Sequence, residues 1–232
     1  MFWKKIRKWL IFIPVLVLVI GLCIFKRSNQ ELILFLGDNS NVSKHLTELN
    51  YQTNDAFTFS KMKSKELLYY VSSNASAKYQ NKKVVMNDLI KQSKVIVISI
   101  GLNDVLAKLT INKYEKKLSY DDDSLNLTFS ILEQNLFNII EHIKLLNEYA
   151  RIILTSYDDP FYFLSKNDYD HNIIEVLNSL VNSISLFFNE EYLDVSLENI
   201  EYYDNEFSIY QNELGKQKTA EIIYQKIIAI TS

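Results

Sequence analysis

The chain is poor in the residues that most often announce a mechanism. Of 232 residues, one is Cys, three are His, four are Gly and two are Pro. A lone Cys23 excludes an intramolecular disulfide and any metal site built on several thiolates. Three histidines, His45, His142 and His171, leave few candidates for a general base. Scarce glycine leaves no Gly-rich phosphate loop, so a nucleotide role is not supported. No Pro-, Gly- or Ser-rich linker and no internal repeat divides the sequence. The paucity of Gly and Pro beside abundant Asn, Lys, Ile and Tyr reads as coding bias and carries no functional weight.

Hydrophobic residues make up 48% of the chain and charged residues 23%, the balance of a globular protein with one sizeable core. The first thirty residues differ in kind. Lys4, Lys5, Arg7 and Lys8 precede the apolar run Trp9 to Phe25, and Lys26 and Arg27 follow it. That run approaches the roughly 20 residues needed to span a bilayer as a helix, with Trp and Lys at its borders. No small-x-small site follows it, which argues for an uncleaved anchor over a secretory signal. Bulky Leu22 argues against lipoprotein processing at Cys23. The excess of basic residues before the run predicts a single-pass membrane protein with a cytoplasmic N-terminus and the main domain outside the cytoplasm. The expected organisation is an anchor over residues 1–30 and a globular domain over 31–232.

Without the anchor and its flanks, 19 basic residues face 28 acidic ones, a net charge of −9. A nucleic-acid reader needs a basic face, and none is visible. Nucleic acid is excluded as an expected partner.

Short apolar runs at Glu31 to Gly37 and Lys94 to Gly101, with weaker ones at Arg151 to Tyr157 and Glu191 to Ser196, read as strands buried on both faces. Helical periodicity covers Ser124 to Tyr149, Ile173 to Phe188 and Glu213 to Ile230. Between Tyr51 and Asn87 the pattern is less regular, with a helix at "SKELLYYV" and a short strand near Tyr51. Strands separated by helices long enough to cross over predict a three-layer α/β/α fold around a mostly parallel sheet. The "DDDS" run, Asp121 to Ser124, reads as a solvated loop with Ser124 capping the following helix. The N-x-S/T triplets at Asn41, Asn74 and Asn126 are explained by chance.

Ligands of open parallel sheets bind where the strands finish. The residues there are Gly37-Asp38-Asn39-Ser40, Gly101-Leu102-Asn103-Asp104 and Tyr157-Asp158-Asp159-Pro160. "SIGLNDVL" resembles the G-x-N-D block of the SGNH/GDSL hydrolases, "LFLGDNSN" resembles their G-D-S block, and "FSIYQNELGKQKTAEII" resembles their final D-x-x-H-P-N-x-x-G block with its helix. The resemblance runs in order from Glu31 to near the end of the chain and is closest to membrane-anchored bacterial forms of Gram-positive type. It implies an SGNH-hydrolase (flavodoxin-like) fold, an oxyanion role for Asn103 and no cofactor. It also implies that Asn39, Phe207 and Tyr210 stand at the positions of the nucleophilic Ser, the Asp and the His. Asp38 and Asn103 are kept, whereas the second block offers only Asp55 or a neighbour for its Gly.

Asn is no nucleophile at neutral pH, and without an imidazole no serine is activated. The resemblance therefore predicts a pseudoenzyme whose crevice holds an acyl, glycan or cell-envelope ligand through Asp38, Asn39 and Asn103, with Asn39 also capping the following helix. The alternative is an esterase or acylhydrolase using Ser40 as a displaced nucleophile, although none of the histidines falls near the last block. Tyr210 as a general acid and Asp158 with Asp159 as a cation site are weaker options, the second because hard cations need more oxygen ligands. A flavodoxin-like domain with no functional kinship is the remaining reading.

Overall fold

The computed structural model describes residues 32–38, 42–48, 52–112, 115, 117–159, 161, 172–197, 200–203 and 211–231. All of them fall in the unit Leu32–Ser232. Among the described residues no helix is long and apolar enough to cross a membrane, and the expected span at residues 9–25 lies outside them.

The elements follow in the order β1 (Leu32–Gly37), α1 (Val42–Glu48), β2 (Gln52–Thr58), α2 (Ser64–Ser72), β3 (Ser76–Tyr79), β4 (Lys82–Val85), α3 (Met86–Gln92) and β5 (Ser93–Ser99). Then come α4 (Leu102–Leu106), β6 (Thr110–Asn112), β7 (Lys117–Ser119), α5 (Asp122–Leu146), β8 (Arg151–Thr155), α6 (Asn172–Phe188), β9 (Glu191–Leu193), a 3₁₀ turn (Ile200–Tyr202) and α7 (Glu213–Thr231).

Five strands form a parallel sheet in the order β2-β1-β5-β8-β9. The apolar runs become its central strands because both faces are covered. Leu34 and Leu36 of β1, Ile96 and Ile98 of β5, and Ile152 and Leu154 of β8 face a layer built from α2, α3, α5 and α6. Ile33 and Phe35, Val95 and Val97, and Ile153 face the other layer, where Val42 and Leu46 of α1 meet Ala220, Ile223 and Ile227 of α7. The alternation is the two-residue period of a strand, here apolar in both phases. The expected α/β layers and parallel sheet are present. The pairs β3-β4 and β6-β7 are antiparallel hairpins outside the sheet, which the sequence pattern did not predict.

Two details differ from expectation. The cap of α5 is Asp121, whose side chain accepts the Ser124 N–H (2.8 Å), so Ser124 is capped instead of capping. The Glu191 to Ser196 strand is cut to three residues, because Ser156 and Asp194 turn to each other at 2.7 Å beyond Leu193.

Candidate functional site at the strand finishes

Chain order along the sheet reverses between β1 and β5. β1 is followed in sequence by its neighbour on one side, β2, and later by its neighbour on the other side, β5. A crevice at the carboxyl ends of these two strands is the expected binding position in a doubly wound sheet. Gly37 ends β1 with φ of 107°, and a Cβ there would stand 1.8 Å from the Ser99 carbonyl oxygen. That close approach is open only to glycine. It brings Asp38 beside β5, where its N–H donates to Ser99 O at 2.8 Å.

Asn103 follows β5 through Gly101, whose φ of 132° starts α4. Its Nδ2 donates to Asp38 Oδ2 at 2.8 Å, so two residues 65 apart in sequence meet across the switch in strand order. A third side chain joins them from just past the finish of β8: the Tyr157 hydroxyl donates to Asp38 Oδ1 at 3.2 Å. The Tyr157 backbone is held from both sides by Asn178 of α6, which accepts its N–H (2.8 Å) and donates to its carbonyl (2.9 Å). Asp38 and Asn103 are thus brought together as expected. Tyr157, a third member, has no local sequence signal beyond its place after a strand.

Asp38 keeps a partly exposed edge, yet burial by its surroundings is the largest influence on it and lifts its carboxyl from 3.8 to about 7. The donors Tyr157 and Asn103 oppose that rise and the neighbouring Asp104 carboxylate adds to it. Burial, followed by the Asp38 charge, pushes the Tyr157 phenol well above its ordinary value, which keeps it a proton donor. The arrangement offers a ligand a fixed amide and a carboxyl that changes charge near neutral pH.

The Asp of the G-x-N-D block has a separate task. Asp104 accepts from the Ser64 N–H (2.9 Å) and hydroxyl (2.8 Å), and Asn135 donates to Ser64 Oγ at 2.8 Å. The start of α2 is therefore capped by a residue of α4 and tied to α5. Burial raises the Asp104 carboxyl, with the Ser64 donors acting against it.

Asp55 does not reach the crevice. It sits inside β2, where the register with β1 slips between Leu34 and Leu36, and its carboxylate takes the Ser43 hydroxyl of α1. Asp158 is structural as well: it accepts from Tyr203 (2.7 Å), from Gln211 Nε2 (2.8 Å) and from the Leu197 N–H. Asp159 accepts from the Phe161 N–H at 2.8 Å. Among the described residues no group of three or more His, Cys, Asp or Glu is placed to hold a metal.

The N-x-x-G of the last block explains itself by packing. Asn212 Oδ1 accepts the Gly215 N–H (2.9 Å) at the start of α7, and a Cβ on Gly215 would lie 2.5 Å from Tyr202 O. The expectation that no histidine approaches this block is overturned. His45 of α1 places Nε2 3.2 Å from Glu213 Oε1 in the first turn of α7. It does so because α1 and α7 pack side by side on one face of the sheet, a pairing that linear distance conceals. His142 lies on α5, and its Nε2 has no hydrogen-bond partner among the described residues. Asn39, Ser40, His171, Phe207 and Tyr210 lie outside the described residues.

This architecture, with Asp38 and Asn103 meeting at the ends of β1 and β5, is the SGNH/GDSL-hydrolase fold. No family model and no curated protein matches the chain. Solved structures do. A family 3 carbohydrate esterase of Clostridium thermocellum matches over 86% of this chain and 96% of that one, at 15% identity and a TM-score of 0.56. The lipase Lip_vut3 from a goat rumen metagenome matches over 84% and 96%, at 15% identity and a TM-score of 0.59. A catalytic mutant of an acetylxylan esterase from Geobacillus stearothermophilus matches over 85% and 94%, at 15% identity and a TM-score of 0.58. At this identity the likeness carries the fold.

Proposed function

We propose that the chain is a membrane-anchored, extracytoplasmic protein of SGNH-hydrolase fold that binds an acylated glycan or related cell-envelope ligand without hydrolysing it. What carries this reading is the identity of the residues that the resemblance sets at the three triad positions: Asn39, Phe207 and Tyr210. None of them supplies a serine hydroxyl, an imidazole or a carboxylate. Serine hydrolases stripped of their triad retain a residual acceleration of roughly 10³ to 10⁴ over water, far short of a working esterase. The cluster of Asp38, Asn103 and Tyr157 at the strand finishes supports binding, since its hydrogen bonds fix the positions of these groups before a ligand arrives. The glycan class is taken from the esterases of matching fold, which are named for carbohydrate and acetylxylan substrates.

A second reading is favoured by one observation. His45 contacts Glu213 in the helix that follows the last block, so an imidazole oriented by a carboxylate is available one helical turn beyond Ser40 in sequence. In this reading Ser40 is the nucleophile, His45 the base and Glu213 its orienting partner.

A fluorophosphonate probe and a short-chain nitrophenyl ester, applied to the intact chain and to Ser40→Ala and His45→Ala, separate the two. The binding reading expects no labelling and turnover equal in all three proteins. Labelling and hydrolysis lost in both variants would replace it with the esterase.

A further inference from the structure

The end of the sheet opposite the crevice carries a surface that the binding reading does not use. In a parallel sheet all strands begin at one end, and register places Leu32 of β1 against Ser93 of β5, and Val95 against both Ile33 and Arg151. Lys91 closes the last turn of α3 immediately before β5, Lys94 is the second residue of β5, and Arg151 is the first of β8; all three are exposed. Beside them the last turns of α5 and α6 and the short connections into β8 and β9 present large apolar groups to water. Leu145 is 80% exposed, Tyr149 84%, Leu186 71% and Phe187 71%. The Phe187 ring packs on Phe137 and Phe188 while most of its surface stays open, and four such exposed apolar groups at one end of the sheet are more than a solvated end needs. Glu148 is an exposed acid at this end, while Lys144 is paired with Glu190 and Lys226 with Glu191 at the start of β9.

The chain itself names the partner. Only Lys26 to Glu31 separate the apolar run ending at Phe25 from Leu32, where β1 begins. Fully extended, that connection spans about 25 Å at most, so a run held in the bilayer keeps the strand-start end of the sheet close to the lipid surface. Basic side chains beside Tyr, Phe and Leu are the composition that settles at a headgroup layer: ammonium and guanidinium groups meet anionic headgroups, and the apolar groups enter the acyl boundary. We infer that the strand-start end of the domain docks on an anionic bilayer through Lys91 and Arg151, with Tyr149, Leu186 and Phe187 inserted, which turns the crevice away from the membrane. The inference rests on the anchoring part of the proposed function.

The test uses the intact chain reconstituted in phosphatidylethanolamine vesicles containing phosphatidylglycerol. Both tryptophans, Trp3 and Trp9, precede or border the apolar run, so their quenching by brominated lipids reports on the anchor alone. In a Cys23→Ala background, a bimane label at Leu186→Cys reports on the strand-start end, and one at Ser60→Cys, just past the finish of β2, reports on the crevice end. Headgroup nitroxide lipids are expected to quench position 186 several-fold more than position 60, and Lys91→Glu with Arg151→Glu is expected to abolish that difference. Tryptophan quenching with equal, weak quenching at 186 and 60 would overturn the docking while leaving the anchor standing. A label at 186 shielded only on self-association, with no lipid quenching, would overturn it in favour of a second copy. Absence of tryptophan quenching would overturn the anchor and the docking together.

Discussion

The two ends of one sheet are built on different chemistry. Where the strands finish, carboxylates are drawn in and surrounded by donors: Asp38 by Asn103 and Tyr157, Asp104 by Ser64, Asp158 by Tyr203 and Gln211. Where they start, basic and apolar side chains stand exposed, and the buried carboxylate of Glu190 is neutralised by Lys144 while it accepts the Ile152 N–H (2.9 Å). The contrast teaches that the finish end is organised around internal polar bonds between distant segments, each expensive to leave unmade in a partly dry setting. The start end has internal bonds of its own, such as those from Asn147 Nδ2 to the Ile90 and Ser93 carbonyls, and adds to them an exposed surface of basic and apolar side chains.

That contrast can be broken or sharpened by substitution. The largest effect is expected from Gly37→Ala, which forces a Cβ into the Ser99 carbonyl at a backbone conformation that L residues avoid. A loss of roughly 4 kcal/mol or outright failure to fold should appear in chemical denaturation. Asp104→Ala comes next. It leaves the Ser64 N–H and hydroxyl without their acceptor, for a cost of about 2 to 3 kcal/mol by the same measurement.

Asp38→Asn sharpens the electrostatic side. A carboxyl raised from 3.8 to about 7 is favoured in its protonated form by the fold, so the stability it contributes is complete below about pH 4 and lost as pH rises to about 7. The neutral amide removes that dependence. The variant should gain on the parent between pH 5 and pH 8, read as a flatter curve of unfolding free energy against pH. Asp121→Ala removes the cap of α5 and should cost about 1 kcal/mol. Least of all, Leu186→Ser at the start end should leave stability within about 0.5 kcal/mol in chemical denaturation, as expected for an exposed position, and should weaken vesicle binding if the proposed docking holds.

The sequence made the central strands legible because β1, β5 and β8 are buried on both faces and therefore appear as unbroken apolar runs. The long helices declared themselves by period. Hairpins such as Ser76–Val85 did not, since their strands are four residues long and half or fully exposed, too short for the alternation in Ser76–Tyr79 to stand out. Of the crevice, Asp38 and Asn103 were readable from their positions after strands. Tyr157 stood among the strand-finish residues, but its bond to Asp38 was not readable, because a phenol reaching across β5 leaves no trace in local spacing. His45 failed for the same reason: its neighbour Glu213 is 168 residues away and is brought near only by the packing of α1 on α7.

Asp158 has one more consequence. Its carboxylate holds Leu197, Tyr203 and Gln211 at once, three points along the chain that leads from β9 into α7. A single backbone break between Tyr203 and Gln211 would leave both new termini attached to the same residue, with α7 still seated on the sheet through Ile223 and Ile227. The domain is therefore a candidate for splitting there into two fragments that reassemble, a property set by one aspartate and independent of whatever the crevice binds.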